Sequence, residues 1–156
     1  MKIRIITVSH RQPDWVRDGY QEYARRIASG MQVELVEITP GDRGKGRAAQ
    51  QVMAQEAERI LAAIPAGYQC IALEVKGKHL STEAWASAMK KYQDEAVNIA
   101  IIIGGADGLA ASLSQSAQQS WSLSALTLPH GLVRLVLIEQ LYRVWSLLQG
   151  HPYHRG

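Results

Sequence analysis

Residues 97–108 read VNIAIIIGGADG. The first seven are apolar apart from Asn98 and rich in β-branched side chains, so they read as a strand. An apolar run with no alternation is the pattern of a strand buried on both faces, as at the centre of a parallel sheet covered by helices. The glycines that follow stop the strand abruptly and let the backbone approach a neighbour or a ligand closely. In an open α/β sheet, ligands bind outside the carboxyl ends of the strands, which makes residues 104–108 a candidate binding turn. A tight strand-to-helix connection with nothing bound accounts for the same glycines.

Working outward, the two hydrophobic periods alternate along the chain. Upstream, residues 2–8 (KIRIITV) read as a strand. Pro13 starts a helix whose apolar face is Trp15, Val16, Gly19, Tyr20, Tyr23 and Ile27, and Gly30 closes it. Residues 32–39 (QVELVEIT) alternate as a second strand. A polar loop, PGDRGKGR at 40–47, leads into a helix over about 47–64. Residues 69–75 (QCIALEV) form a third strand, and after the loop KGKHL either Ser81 or Thr82 caps a helix carrying Trp85, Ala88, Met89 and Tyr92. Downstream of the glycine turn come a short helix near 109–118 and an alternating strand at 121–128 (WSLSALTL). Pro129 and His130 break that strand, and a last helix covers about 132–149 before the tail GHPYHRG. The pattern predicts an α/β fold, a mostly parallel sheet of about five strands flanked by helices, in a single domain over 1–156.

Composition agrees with an ordinary globular chain. Of 156 residues, 47% are hydrophobic and 20% charged, with 13 Gly and 5 Pro, which excludes disordered and collagen-like classes. A net charge of +3 permits nucleic acid as a partner without requiring it. Cys70 is the only cysteine, so an intramolecular disulfide and a thiolate zinc site are both excluded. The N-terminus has no signal-peptide pattern and no apolar run is long enough to span a bilayer, so a cytoplasmic location without membrane contact is expected.

The first strand is not followed by G-x-G-x-x-G, and neither a phosphate-binding G-x-x-x-x-G-K-[ST] nor a serine-nucleophile motif is present. From Ala96 to Val133 the only formally charged residue is Asp107. A site in that span would hold its ligand by backbone groups and apolar walls, which suits an adenine and a thioether chain better than a triphosphate. The loop with Gly41, Gly44 and Gly46 reads as a solvated connection or as a phosphate contact through Arg43, Lys45 and Arg47. The last helix clusters Glu139, Gln140, Arg143 and Ser146 on one side and is apolar nearly all round, more than one small sheet can cover, so a second subunit is expected. Arg134 lies opposite that cluster, where a core ion pair and a substrate-facing role both remain open. The tail holds His151, Tyr153, His154 and Arg155, groups that exchange protons or hold phosphate.

Segment 119–156, QSWSLSALTLPHGLVRLVLIEQLYRVWSLLQGHPYHRG, together with IIIGGADG, PDWV at 13–16, EYARR at 22–26 and the GKGR loop at 44–47, resembles the ribosomal large-subunit methyltransferase H family of SPOUT-class methyltransferases. The resemblance spans the whole chain. It implies a C-terminal trefoil knot, a homodimer, and S-adenosyl-L-methionine as cofactor, with no metal. It also implies methyl transfer to N3 of a pseudouridine in the 23S rRNA of the assembled ribosome. Carried over by position, the cofactor pocket uses Leu73, Gly104, Leu123, Ser124, Ala125, Leu126, Thr127 and Leu128. Tyr153, His154 and Arg155 match the family's terminal motif. His154 is the expected proton acceptor with Tyr153 second, and Arg155 or Arg134 would stabilise developing charge. Ala106 stands where many members have Pro. Arg17, Arg25, Arg26 and the cations of 43–47 are expected on rRNA phosphates. The alternative from another class is a non-catalytic RNA- or nucleotide-binding dimer on the same scaffold.

Overall fold

Five strands, β1 (Lys2–Val8), β2 (Gln32–Ile38), β3 (Gln69–His79), β4 (Ile99–Ile103) and β5 (Gln119–Ser122), lie side by side in the order β2-β1-β4-β3-β5, every pairing parallel. The structure is a computed structural model and describes residues 1–42, 46 and 48–155. As the sequence implies, β4 is central and all five of its residues are buried. The helices are α1 (Asp14–Ala24), α2 (Ala49–Ala63), α3 (Thr82–Asp94), α4 (Ala111–Ser116) and α5 (His130–Leu148), with a 3₁₀ turn at Pro152–Arg155.

Parallel strands need crossovers, and the crossovers cover both faces. On one face α1, α3 and α5 pack Tyr20, Trp85, Met89, Leu137 and Leu141 against Ile3, Ile5, Ile71, Ile99 and Ile101. On the other, Ala57 and Ile60 of α2 and Leu113 of α4 pack against Ile6, Val8, Ala72, Ala100 and Ile102. The period-2 alternation of each strand therefore sorts its residues between two cores. Ser81 caps α3, its hydroxyl accepting from the Ala84 N–H at 3.1 Å.

Several boundaries differ from the sequence reading, each for a local physical reason. The strand expected at 121–128 ends at Ser122. Beyond it, the Ser122 hydroxyl donates to the Ser124 carbonyl at 2.9 Å and the Ser124 hydroxyl accepts from the Leu126 N–H at 3.0 Å. Such local side-chain bonds compete with a strand ladder. Conversely, β3 continues through the expected loop to His79, but with a register break: Leu73 and Lys78 both oppose Trp121, so 74–77 bulge out of the ladder. The first helix ends at Ala24, well before Gly30, and Trp15 is 60% exposed instead of lying on the inward face. On α5, Leu132 and Val136 are also exposed, leaving an apolar stripe beside α1.

Candidate active site

The carboxyl ends of β3, β4 and β5 enclose a cleft. Leu73, just before the β3 bulge, and Ile103 and Ser122, at the ends of β4 and β5, line it together. Segment 123–128 closes one side, and the glycine turn, through Gly104 and Gly108, closes another. Val133, at the start of α5, completes the apolar wall.

Glycine is required at 104 by space. A Cβ there would lie 2.4 Å from the Gly108 carbonyl carbon, because Gly105 and Gly108 form a short antiparallel bridge that folds the turn back on itself. Leu126 stands at the mouth with 68% of its surface exposed. An exposed leucine over an apolar cleft is surface that an occupant would cover. The bulge of β3 delivers one charged group to this otherwise neutral lining, Glu74. Its Oε1 accepts from the Ser114 hydroxyl at 2.5 Å and from the Ser120 hydroxyl at 2.7 Å.

The sequence-derived pocket residues thus converge: Leu73, Gly104, Leu123, Ser124, Leu126, Thr127 and Leu128 share the cleft, and Ala125 is exposed within the same segment. Val133 and Glu74 lie outside the sequence-derived set, whereas Gly108 falls within the 104–108 turn read as a candidate binding turn. Glu74 lies in the run 69–75 read as the third strand, but the bulge that begins after Leu73 is not visible in that run.

The tail residues gather elsewhere. Gly150 adopts φ 68°, a left-handed cap that turns the chain back on α5, and the His151 N–H donates to the Ser146 carbonyl at 2.8 Å. The 3₁₀ turn then lies on the C-terminal half of α5. The Tyr153 hydroxyl donates to Glu139 Oε1 at 3.0 Å, and the same oxygen accepts from Arg143 at 2.7 Å. The Arg143 guanidinium also lies over the Tyr153 ring, 4.9 Å from its centroid. Burial, reinforced by the hydrogen bond to Glu139, pushes the Tyr153 hydroxyl up to about 12, so it stays a proton donor at neutral pH. Glu139 and Arg143 are visible in the sequence as a polar pair one helical turn apart, yet nothing in the spacing links them to the tail.

His154 is oriented by a relay. The Ser146 hydroxyl donates to the His151 carbonyl at 3.1 Å, so its lone pairs are what it offers to His154 Nδ1, 3.3 Å away. With the Ser146 proton on the His151 carbonyl, the tautomer compatible with this contact carries its proton on Nδ1 and its lone pair on Nε2. Arg155 is exposed at the end of the turn.

Arg134 does not line the cleft. It is 3% exposed and donates to Ser9 Oγ at 2.9 Å and to Glu37 Oε2 at 3.2 Å, at the ends of β1 and β2. A buried guanidinium thus pairs with the half-exposed carboxylate of Glu37, an ion pair as in one of the two readings its position allowed. On the outer surface of α1, Arg25 and Arg26 both pair with Glu22, and Arg17 lies 3.6 Å from Asp14. The expected phosphate contacts of Arg43, Lys45 and Arg47 lie outside the described residues. Ala106 is exposed within the glycine turn.

Within one chain, cleft and tail are far apart. Val133 and Ser146 are separated by thirteen residues of continuous helix, about 20 Å along the axis.

Known proteins resemble this chain over nearly its whole length. A family model described as a predicted SPOUT methyltransferase matches residues 1–154. The chain is 49% identical, over 155 residues and 99% of both sequences, to the ribosomal RNA large subunit methyltransferase H of Ralstonia nicotianae. Among solved structures, the backbone resembles a probable methyltransferase from Bordetella pertussis, with TM-score 0.58 and 17% identity over 92% of this chain and 93% of that one. It also resembles a probable methylase family protein from Haemophilus influenzae, with TM-score 0.53 and 13% identity over 97% of this chain and 69% of that one. At those identities the likeness is one of fold.

Proposed function

Since the chain belongs to the SPOUT methyltransferase family, we propose that it methylates large-subunit rRNA, transferring the methyl group of S-adenosyl-L-methionine to N3 of a pseudouridine in the assembled ribosome. The observation that carries this reading is the largely apolar, glycine-built cleft beside the β3 bulge and the ends of β4 and β5, in a chain half identical to a relative named for rRNA methylation. Its lining fits the donor: apolar walls for an adenine and for the aliphatic arms around the sulfur, and a turn at Gly104 with no room for a side chain.

When bound, the donor supplies an electrophilic methyl carbon on its sulfonium. The protein's task is then positional, to hold the acceptor nitrogen in line with that carbon and to take the proton N3 gives up. His154 Nε2, left basic by the Ser146 relay, is the acceptor of that proton. Tyr153, fixed by Glu139 and Arg143, holds the tail turn in place, and Arg155 meets negative charge on the flanking carbonyl oxygens. Arg134 serves this site indirectly, by securing the N-terminal half of α5 to β1 and β2.

The separation of cleft and tail along α5 supports a homodimer in which the tail of one protomer reaches the cleft of the other. Trp15, Leu132 and Val136 supply an exposed apolar surface for such an interface. A C-terminal knot belongs to the same reading. It is supported by the path of the chain, which leaves the β5 edge, runs past the β3 and β4 ends through 123–128, and enters α5 against α1 and α3. No helix among the described residues is long and apolar enough to cross a membrane, and the ribosomal substrate puts the reaction in the cytoplasm.

The test is incubation with methyl-labelled donor and ribosomes lacking the modification. Label in large-subunit rRNA is the expected result. Donor binding without transfer overturns the enzyme reading in favour of a non-catalytic RNA-binding dimer.

A further inference from the structure

Among the described residues Glu74 is the one charged residue lining the cleft, and nothing in the sequence motifs gives it a role. It is partly buried in the bulge of β3, in a lining otherwise made of apolar side chains, small hydroxyls and glycine backbone. A carboxylate in such a place loses hydration and needs donors in return. Ser114 of α4 and Ser120 of β5 supply two, and both fall on Oε1 at 2.5 and 2.7 Å. A carboxylate oxygen has two lone pairs, so these serines saturate Oε1 and orient the group. Oε2 keeps its acceptor capacity on the same rigid support.

We infer that Glu74 Oε2 accepts hydrogen bonds from the vicinal ribose hydroxyls of the methyl donor and so selects a ribonucleoside in the cleft. This rests on the methyl-donor reading of the cleft. Two neighbouring hydroxyls are neutral donors with the spacing to share one oxygen, and a fixed carboxylate is the strongest uncharged-ligand acceptor a protein offers. The apolar walls formed by Leu73, Leu123, Leu128 and Val133 suit the flat base and the aliphatic arms around the sulfur, leaving the sugar hydroxyls as hydrogen-bond donors that require a partner inside. The amino acid end of the donor carries its own charges and can stay hydrated at the open mouth, beside exposed Leu126.

The experiment measures binding by calorimetry on wild type and Glu74→Gln with three probes: S-adenosylhomocysteine; 5′-methylthioadenosine, which keeps the diol but lacks the amino acid; and the 2′,3′-dideoxy form of the latter. Loss of one charge-assisted hydrogen bond should weaken the first two by about tenfold in the variant and leave the third within about twofold. Equal weakening of all three probes marks Glu74 as a mere staple between α4 and β5 and overturns the proposal. Weakening confined to S-adenosylhomocysteine assigns Glu74 to the ammonium group and overturns it equally. If wild type binds none of the three, the methyl-donor reading itself fails, an outcome distinct from the other two.

Discussion

At its N-terminal end, α5 borders a cleft whose walls are backbone, leucine and glycine, with Glu74 as the single charged residue among those described. At its C-terminal end, the same helix carries Glu139, Arg143 and Ser146, locked to Tyr153, His151 and His154 by hydrogen bonds. One end is shaped and the other is wired. The contrast follows from what each has to hold. A donor that is already activated needs a fitted, dehydrated container, whereas a nitrogen that must lose a proton needs an oriented base and fixed charges around it. One rigid helix connects the two and keeps them apart in the monomer.

Substitutions at each end should separate along that line. His154→Ala removes the base and should lower the single-turnover methylation rate by about a thousandfold, while affinity for S-adenosylhomocysteine stays within about twofold; unchanged turnover would take His154 out of the mechanism. Gly104→Ala acts on the other end. Its Cβ would meet Gly108 backbone at 2.4 Å, and backbone yields less readily than a flexible side chain. Donor affinity by calorimetry should fall about thirtyfold, an overpacking cost of about 2 kcal/mol. A Gly104→Ala protein that binds normally would show that the turn is not the wall of the site. The smallest effect belongs to neither end. Arg17 is half exposed and only loosely paired with Asp14, a contact of little energy in water. Arg17→Gln should leave catalysis intact and make the salt dependence of ribosome binding shallower by about 0.7–0.9 in log–log slope, the loss of one phosphate contact. A slope equal to that of wild type removes Arg17 from the rRNA contact surface. Arg25 and Arg26 share Glu22, which lowers what either can offer a phosphate.

Much of the cleft is legible in the chain because it is local. Leu73, Gly104 and 123–128 sit at strand ends, and strand ends are visible as the places where apolar runs meet glycine, serine or proline. What escaped is what depends on neighbours. The 121–128 run alternates like a strand, yet Ser122 and Ser124 bond their own backbone and free the segment to become a wall. The β3 bulge that presents Glu74 exists only because Leu73 and Lys78 both oppose Trp121, a register no single-strand pattern encodes. Trp15 reads as a core residue by spacing and is exposed, because α1 turns Val16 and Tyr20 inward instead.

The sequence by itself determined the α/β alternation, the central place of β4, the neutrality of 96–133 and the family, because each is carried by residue type and by contacts close along the chain. Tertiary structure alone decided the strand order, the pairing of Arg134 with Ser9 and Glu37, and the union of Tyr153 with Glu139 and of His154 with Ser146. It also decided that cleft and tail lie at opposite ends of one helix. Those facts rest on contacts between residues far apart in sequence or across a docked turn, and hydrophobic periodicity records which face of an element is buried but not what is buried against it.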